Sequence, residues 1–245
     1  MQTAGEPQIK DRYFHFKRFS VRHDRSSMKV GTDAVLLGLL TSCHSQGDML
    51  EVGCGCGVIS LLIAERTVGN ILAIDPDEQS LLDTEENFNN SVWSDRLAFK
   101  QTTLKQLASQ SSRQFSLIFS NPPFFTNSLK GPNDKRNRAR HTDTLPFDQF
   151  ASASANLLKQ DGRISVILPA DQKAAFVCEM NKVGLGLIHC IEIIPIEGRK
   201  PVRIILEFCR NNLKTEYKQL ILRTAQGTTS EQYQKLAEGW YLRMK

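Results

Sequence analysis

The sequence predicts an α/β fold, a mostly parallel sheet with helices on both faces. Segments of β character alternate with helical stretches of about 10 to 15 residues, the pattern of a parallel sheet covered on both sides. A glycine-rich turn, Glu51-Val-Gly-Cys-Gly-Cys-Gly57, joins one such strand to one such helix. Further on, Glu197-Gly-Arg-Lys-Pro201 is too short for a parallel crossover, so the strand after it must run antiparallel.

Taken in order, residues 32–42 read as a helix whose apolar residues are Ala34, Leu36, Leu37, Leu39 and Leu40, with Asp33 able to cap it. Residues 48–52 are a short strand running into the glycines, and 58–66 a mostly buried helix. Residues 70–74 are β-rich and stop at Asp75; 77–89 return to helix with carboxylates in the first half, as the helix dipole favours. A weak strand at 96–101 precedes a strong one at 115–119, which stops at Ser120-Asn-Pro-Pro123. Residues 147–159 form a helix ended by an Asp161-Gly162 turn, 163–168 a strand and 171–183 a helix. Strands follow at 187–195, 202–209 and 218–223, with a closing helix over 230–242. There is no internal repeat and no low-complexity linker, so residues 1–245 read as one domain. The long irregular stretch 124–145 is unusual in a compact domain, and its position and charge mark it as a functional loop.

The 245 residues are 40% hydrophobic and 23% charged, ordinary globular values that exclude disordered classes. No apolar run approaches the roughly 18 residues that span a bilayer, and the first residues lack a secretory-type apolar stretch. A cytoplasmic protein without membrane association is expected. The six cysteines form no CxxC pair and have no histidines at zinc spacing, so reduced thiols and no metal are expected. Cys54 and Cys56 read as small residues filling a tight loop.

Charge is segregated beneath a net of +5. Residues 8–29 hold seven Lys/Arg (Lys10, Arg12, Lys17, Arg18, Arg22, Arg25, Lys29) against two carboxylates, and residues 130–141 hold five (Lys130, Lys135, Arg136, Arg138, Arg140) against one. Between 48 and 90, nine carboxylates face Arg66 alone. The basic N-terminal segment (1–30) and the basic loop (124–145) therefore suit a polyanion such as RNA. Arg18, Arg22, Arg25, Lys130, Lys135, Arg136, Arg138 and Arg140 are the candidate contacts. Tyr13, Phe14, Phe16 and Phe19 interleave with the first basic run, either to stack on bases or to anchor the segment in the core.

The glycine turn lacks the third glycine of a dinucleotide fingerprint, since position 58 is Val. Its pattern is E-x-G-x-G-x-G. Glu51 at the strand end would repel a pyrophosphate and attract an α-amino group, while Asp75, closing the next strand, can take both ribose hydroxyls. A ligand with a ribose, a cation and no required phosphate is S-adenosylmethionine (AdoMet). Glu51, Gly53, Cys54, Gly55, Gly57, Asp75 and Pro76 are its candidate contacts.

The second motif, Asn121-Pro122-Pro123-Phe124, lies at the carboxyl end of its strand, where doubly wound sheets hold ligands. An adenine or amide nitrogen is a poor nucleophile because its lone pair is delocalised. Acceptors aimed at its N–H groups stabilise the charge that develops on methyl transfer. The Asn121 side-chain oxygen and the Pro122 carbonyl can supply them, proline removes a misdirected N–H, and Phe124 offers a ring for stacking.

With these motifs the chain resembles the amino-methylating class I AdoMet-dependent methyltransferases. Met28-Lys-Val-Gly-Thr-Asp33 with Ala34 to Gly38, the Asn-Pro-Pro-Phe-Phe form and the closing Trp240-Tyr-Leu-Arg243 are similar to the bacterial tRNA1(Val) adenine-N6 methyltransferase family, over residues 14–245. The resemblance implies a Rossmann-like, seven-stranded, mostly parallel sheet with an antiparallel last strand. It also implies methylation of the adenosine 3′ of the anticodon in one valine tRNA; separately, a monomer is expected. Glu51 would face the methionine amino group, Gly53 and Gly55 the cofactor backbone and Asp75 the ribose. Lys29, Gly31 and Thr32 would close over the methionine end. Asn121 and Pro122 would hold the target N6, with Phe124 stacked on the base. Where relatives carry an acidic residue for the cofactor's adenine amino group, Thr103 stands here, a weaker acceptor. The rival readings are amide methylation of a protein such as a release factor, N2 methylation of an rRNA guanine, and a catalytically silent AdoMet- or RNA-binding module.

Overall fold

A computed structural model describes residues 12–43, 46–122, 145–211 and 213–242. The chain opens with a small antiparallel hairpin, β1 (Tyr13–His15) and β2 (Ser20–Arg22). Then follow α1 (Thr32–Leu40), β3 (Met49–Val52), α2 (Val58–Ala64), β4 (Ile71–Asp75), α3 (Glu78–Asn89), β5 (Leu97–Gln101), α4 (Leu104–Gln110) and β6 (Phe115–Ser120). Beyond the second motif come α5 (Phe147–Leu157), β7 (Leu158–Pro169), α6 (Lys173–Lys182), β8 (Gly186–Ile194), β9 (Arg203–Cys209), β10 (Glu216–Ile221) and α7 (Glu231–Ala237).

Strands β3 to β10 form one sheet in the order β10-β8-β9-β7-β6-β3-β4-β5. It has eight strands where the family resemblance implies seven. The antiparallel strand is β9, seated between β7 and β8, whereas the last strand of the chain, β10, runs parallel to β8 on the edge. The short Glu197–Pro201 turn thus reverses the chain as expected, and β10 then adds outside it.

The inner strands are buried on both faces, with alternate residues feeding two cores, whereas the edge strands β5 and β10 are largely exposed. Met49, Ile71, Ala73, Leu117, Phe119, Ile167 and Ile205 face α1, α2 and α3. Leu50, Val52, Leu72, Ile74, Ile118, Val166 and Leu206 face α4, α5 and α6. Three local expectations change. Helix α1 is capped by Gly31, which has no side chain to offer, and Asp33 lies inside the first turn, its carboxylate accepting from Arg203 Nε at 2.8 Å. Asp161-Gly162 does not separate helix from strand: β7 already begins at Leu158, and the extra residues before Arg163 are taken up by a register shift against β6, where a Cβ on Gly162 would lie 2.8 Å from Leu158 Cδ1. The unforeseen α4 starts in a capping box, in which Thr103 and Gln106 bond to each other's backbone.

The aromatic N-terminal residues are core anchors. Phe16 is buried and stacks on Phe19 with centroids 4.7 Å apart, while Phe14 and Tyr241 lie against it. Lys17 N donates to Trp240 O at 2.8 Å, so this end of the chain is tied to residues 240–241.

Candidate active site

The glycine turn and Asn121 are brought together by strand pairing. In the parallel pair β3–β6, Val52 lies opposite Ser120, and Ser120 Oγ donates to Val52 O at 2.7 Å. Gly53 and Asn121, each the next residue of its chain, therefore leave adjacent strands side by side on the carboxyl edge. Asp75 ends β4 on the other flank of β3. Asn121 is half-buried and Pro122 buried; Pro123 and Phe124 lie outside the described residues.

The turn itself is rigid. Gly53 N and Cys54 N donate to Ile74 O, and Gly57 N to Cys54 O. Gly53, Gly55 and Gly57 have φ of 70°, 54° and 74°, values that side-chain-bearing residues rarely adopt. At Gly53 and Gly55 an added Cβ would meet nothing within 4 Å, so the turn presents bare backbone to open space. At Gly57 it would lie 2.7 Å from Phe88 Cε1. Cys54 and Cys56 are turned inward, and burial raises both thiols, that of Cys56 to about 12. They fill space and are not nucleophiles.

Two carboxylates flank the turn. Asp75 Oδ2 accepts from Gly55 N at 2.8 Å and its Oδ1 from Asp77 N at 2.9 Å. Glu51 is fully buried beneath α2. Its Oε2 accepts from both Ser60 N and Ser60 Oγ, while Oε1 has no hydrogen-bond partner among the described residues. Burial pushes this carboxyl up to about 8, and neighbouring Asp75 adds to the rise. An unpartnered buried carboxylate oxygen is costly unless a cation arrives.

A polar stripe on α3, which the sequence reading passed over, organises what surrounds the turn. Thr84 Oγ1 donates to Gly55 O at 2.6 Å. Asn87 Nδ2 donates to Cys56 O and to Arg22 O, each at 2.8 Å, and Oδ1 accepts from Arg22 N at 2.7 Å. Asp83 Oδ2 accepts from Arg25 N, Ser26 N and Ser26 Oγ. The signal was available: Ser80, Asp83, Thr84 and Asn87 recur at the three- and four-residue spacing that aligns one helix face. The stripe fastens residues 22–27, which lead into exposed Lys29, Gly31 and Thr32. Val30 N donating to His23 Nδ1 at 3.0 Å closes that loop.

The N-terminal arginines are largely engaged with carboxylates. Arg22 pairs with Asp24 and Glu86, both at 2.7 Å, Arg25 with Glu86 at 3.4 Å, and Arg18 with Glu65 at 2.6 Å. Lys130, Lys135, Arg136, Arg138 and Arg140 lie outside the described residues. On the far flank, Pro76 O accepts from Gln101 Nε2 at 3.3 Å. Thr103 Oγ1 accepts from Gln106 N and donates to Gln106 Oε1, so its remaining lone pair is directed away from Gln106.

The sequence was compared with known proteins. Residues 25–183 match the family model "Methyltransferase small domain". A curated relative from Phocaeicola vulgatus, the tRNA1(Val) (adenine(37)-N6)-methyltransferase, is 40% identical over 95% of this chain and 98% of its own. The chain belongs to this methyltransferase family. A member from Yersinia enterocolitica, with the same name, is 32% identical over 98% of this chain and 97% of its own. Among solved structures, protein Atu636 of Agrobacterium tumefaciens, titled a predicted O-methyltransferase, superposes with a TM-score of 0.67 at 15% identity, covering 85% of this chain and 96% of that one. A ribosomal protein L11 methylase from Lactobacillus delbrueckii subsp. bulgaricus gives 0.52 at 16%, covering 73% and 77%. These two establish the fold. The family's cofactor is S-adenosylmethionine, and the site suits it: an orphaned carboxylate oxygen for a cation, bare glycine backbone, and a carboxylate at the next strand end. Among the described residues no helix is long and apolar enough to cross a membrane, and no group of side chains could hold a metal ion.

Proposed function

We propose that the protein methylates the exocyclic N6 of the adenine 3′ of the anticodon, position 37, in tRNA1(Val), acting as a cytoplasmic monomer whose residues 1–245 form one domain. The observation that carries this reading is the juxtaposition of the Gly53–Gly57 turn and Asn121-Pro122 on neighbouring strands. It sets a cofactor cradle against a pair of acceptors suited to an amino group.

AdoMet, when bound, supplies a methyl group activated on a sulfonium. Glu51 Oε1 would take its ammonium, the backbone of Gly53 to Gly57 its body, Asp75 its ribose hydroxyls, and Lys29 to Thr32 would cover the methionine end. Thr103 fits the adenine amino group: its own hydrogen is held by Gln106, so it offers a lone pair. The Asn121 side-chain oxygen and the Pro122 carbonyl would accept from the two N6 hydrogens, turning the nitrogen lone pair toward the methyl and stabilising the positive charge that develops. The methylated nitrogen then sheds its proton, so no strong base is needed. Phe124 would stack on the adenine, and Arg136, Arg138 and Arg140 would meet the RNA backbone.

The test is incubation of labelled AdoMet with total tRNA, total rRNA and release factor as separate acceptors, followed by nucleoside analysis. N6-methyladenosine in tRNA alone is expected. Label in rRNA or protein would move the substrate and keep the mechanism, whereas bound cofactor without transfer would favour a silent module. Replacing Arg136, Arg138 and Arg140 together should weaken tRNA binding and spare AdoMet binding.

A further inference from the structure

The carboxyl edge of the sheet is divided by charge. Following strand order outward from β6, one direction leads over β3 and β4, whose ends carry Glu51, Asp75, Asp77 and Glu78. The other leads over β7, β9 and β8 to β10, and there the edge carries Arg203, Arg199, Lys200 and Arg223. The geometry points to Arg199, Lys200 and Arg223 as a phosphate-contacting strip that receives the RNA backbone beside the methyl-transfer site. The inference rests on the RNA substrate proposed above and assigns its backbone a path.

The strip is built by the fold and is no local charge run. Arg199 and Lys200 sit at the tip of the β8–β9 hairpin, while Arg223 follows β10. The two turns are fastened together: Glu197 N donates to Arg223 O at 2.9 Å, and Ala225 N donates to Glu197 Oε2 at 3.3 Å. Gly198, at φ 78°, and the bond from Arg199 N to Ile196 O make the tip tight. Just past the tip, where β9 begins, Arg203 binds Asp33 at 2.8 Å, next to the Lys29–Thr32 segment.

Arg199, Lys200 and Arg223 are exposed, and none is in an ion pair among the described residues. Arg223 makes one bond from Nη1 to Gly227 O and keeps its other N–H groups free. The carboxylates on neighbouring segments are Asp33, held by Arg203, Asp171 after β7, Glu197, which accepts from a backbone N–H, and Glu231 at the start of α7, paired with Lys235 at 2.7 Å. Holding three unpaired cations together on a stiff support costs repulsion that a polyanion would relieve. The contrast with the N-terminal arginines, nearly all engaged with carboxylates, is direct. With strands about 4.8 Å apart, β8 lies about 14 Å and β10 about 19 Å from β6. That reach covers several nucleotides of a backbone whose target base enters at Asn121.

The experiment uses the full chain, intact tRNA and the variant Arg199→Ala/Lys200→Ala/Arg223→Ala. Expected are a tRNA Kd raised tenfold or more near ~0.1 M salt and a log–log salt slope shallower by about two. AdoMet Kd and kcat at saturating tRNA should stay within about twofold. The charge-conserving variant Arg199→Lys/Arg223→Lys should restore the slope. An unchanged tRNA Kd and slope in the triple variant, with wild type binding and methylating tRNA, overturns the strip alone. A wild-type protein that neither binds nor methylates tRNA overturns the substrate reading, and the strip with it.

Discussion

The side-chain amide of Asn87 donates to the carbonyl oxygen of Cys56 at 2.8 Å, and the same nitrogen reaches Arg22 O. One buried amide thus holds the glycine turn and the N-terminal hairpin in a fixed relation. Asn87→Ala would leave the Cys56 carbonyl and the Arg22 N–H without partners, a cost of about 1–3 kcal/mol. A lower Tm and an AdoMet affinity reduced at least about fivefold are expected, read by thermal melts and equilibrium dialysis. Unchanged affinity in a destabilised variant would disconnect the α3 stripe from the cofactor turn.

The Glu51 carboxyl, raised to about 8 by burial, carries a proton in most molecules at pH 7. An ammonium placed against it favours the ionised form. AdoMet binding should therefore release close to one proton at pH 7, and affinity should rise with pH until about 8. Calorimetry in two buffers of different ionisation heat reads this directly; binding heats independent of buffer would refute it. The stability of the free protein should follow the opposite trend. Because the folded carboxyl titrates above its ordinary value, its contribution to stability is present at low pH and is lost as pH rises through about 8. Glu51→Gln should flatten that decline in Tm.

Asn121→Ala should lower kcat by about a hundredfold or more, the scale seen when one stabilising group at a reacting centre is removed. AdoMet affinity should change far less, and the circular dichroism spectrum should match wild type. Near-normal turnover would eliminate the proposed role.

Gly57→Ala combines a strained φ with a Cβ 2.7 Å from Phe88 Cε1. Gly184→Ala has a similar φ of 77° but meets nothing within 4 Å. Both should be destabilised by about 1–3 kcal/mol of backbone strain, and Gly57→Ala by more. Equal shifts in Tm would mean that Phe88 yields without cost.

The glycine turn was legible because only glycine adopts those φ values cheaply, and Glu51 and Asp75 flank it within a short stretch of chain. The parallel, helix-covered character of the sheet beside it followed from alternation, whereas the order of its strands did not. Other features depended on distant residues. Nothing local in Arg22 or Arg25 tells that Glu86 waits on α3 to pair with them, so the basic run also carries ion pairs that its composition did not show. Helix α4 was passed over because its seven residues carry only Leu104 and Leu107 as buried apolar positions. Asp161-Gly162 reads as a turn by composition, and the structure puts it at a register shift inside β7, because β7 already pairs with β6 at Leu158 and resumes pairing at Arg163. The cations of the β8–β9 tip and of Arg223 become neighbours only through sheet order.

The bridge from Phe16 to Tyr241 closes the chain over every strand of the large sheet. During synthesis the N-terminal hairpin emerges first, yet it cannot complete its packing until residues 240–241 have left the ribosome. The segment reaching Lys29 to Thr32 hangs from that hairpin. The cofactor cover is thus held twice, by the α3 stripe and, through the hairpin, by residues 240–241, and the second hold forms only after the whole sheet has been synthesised.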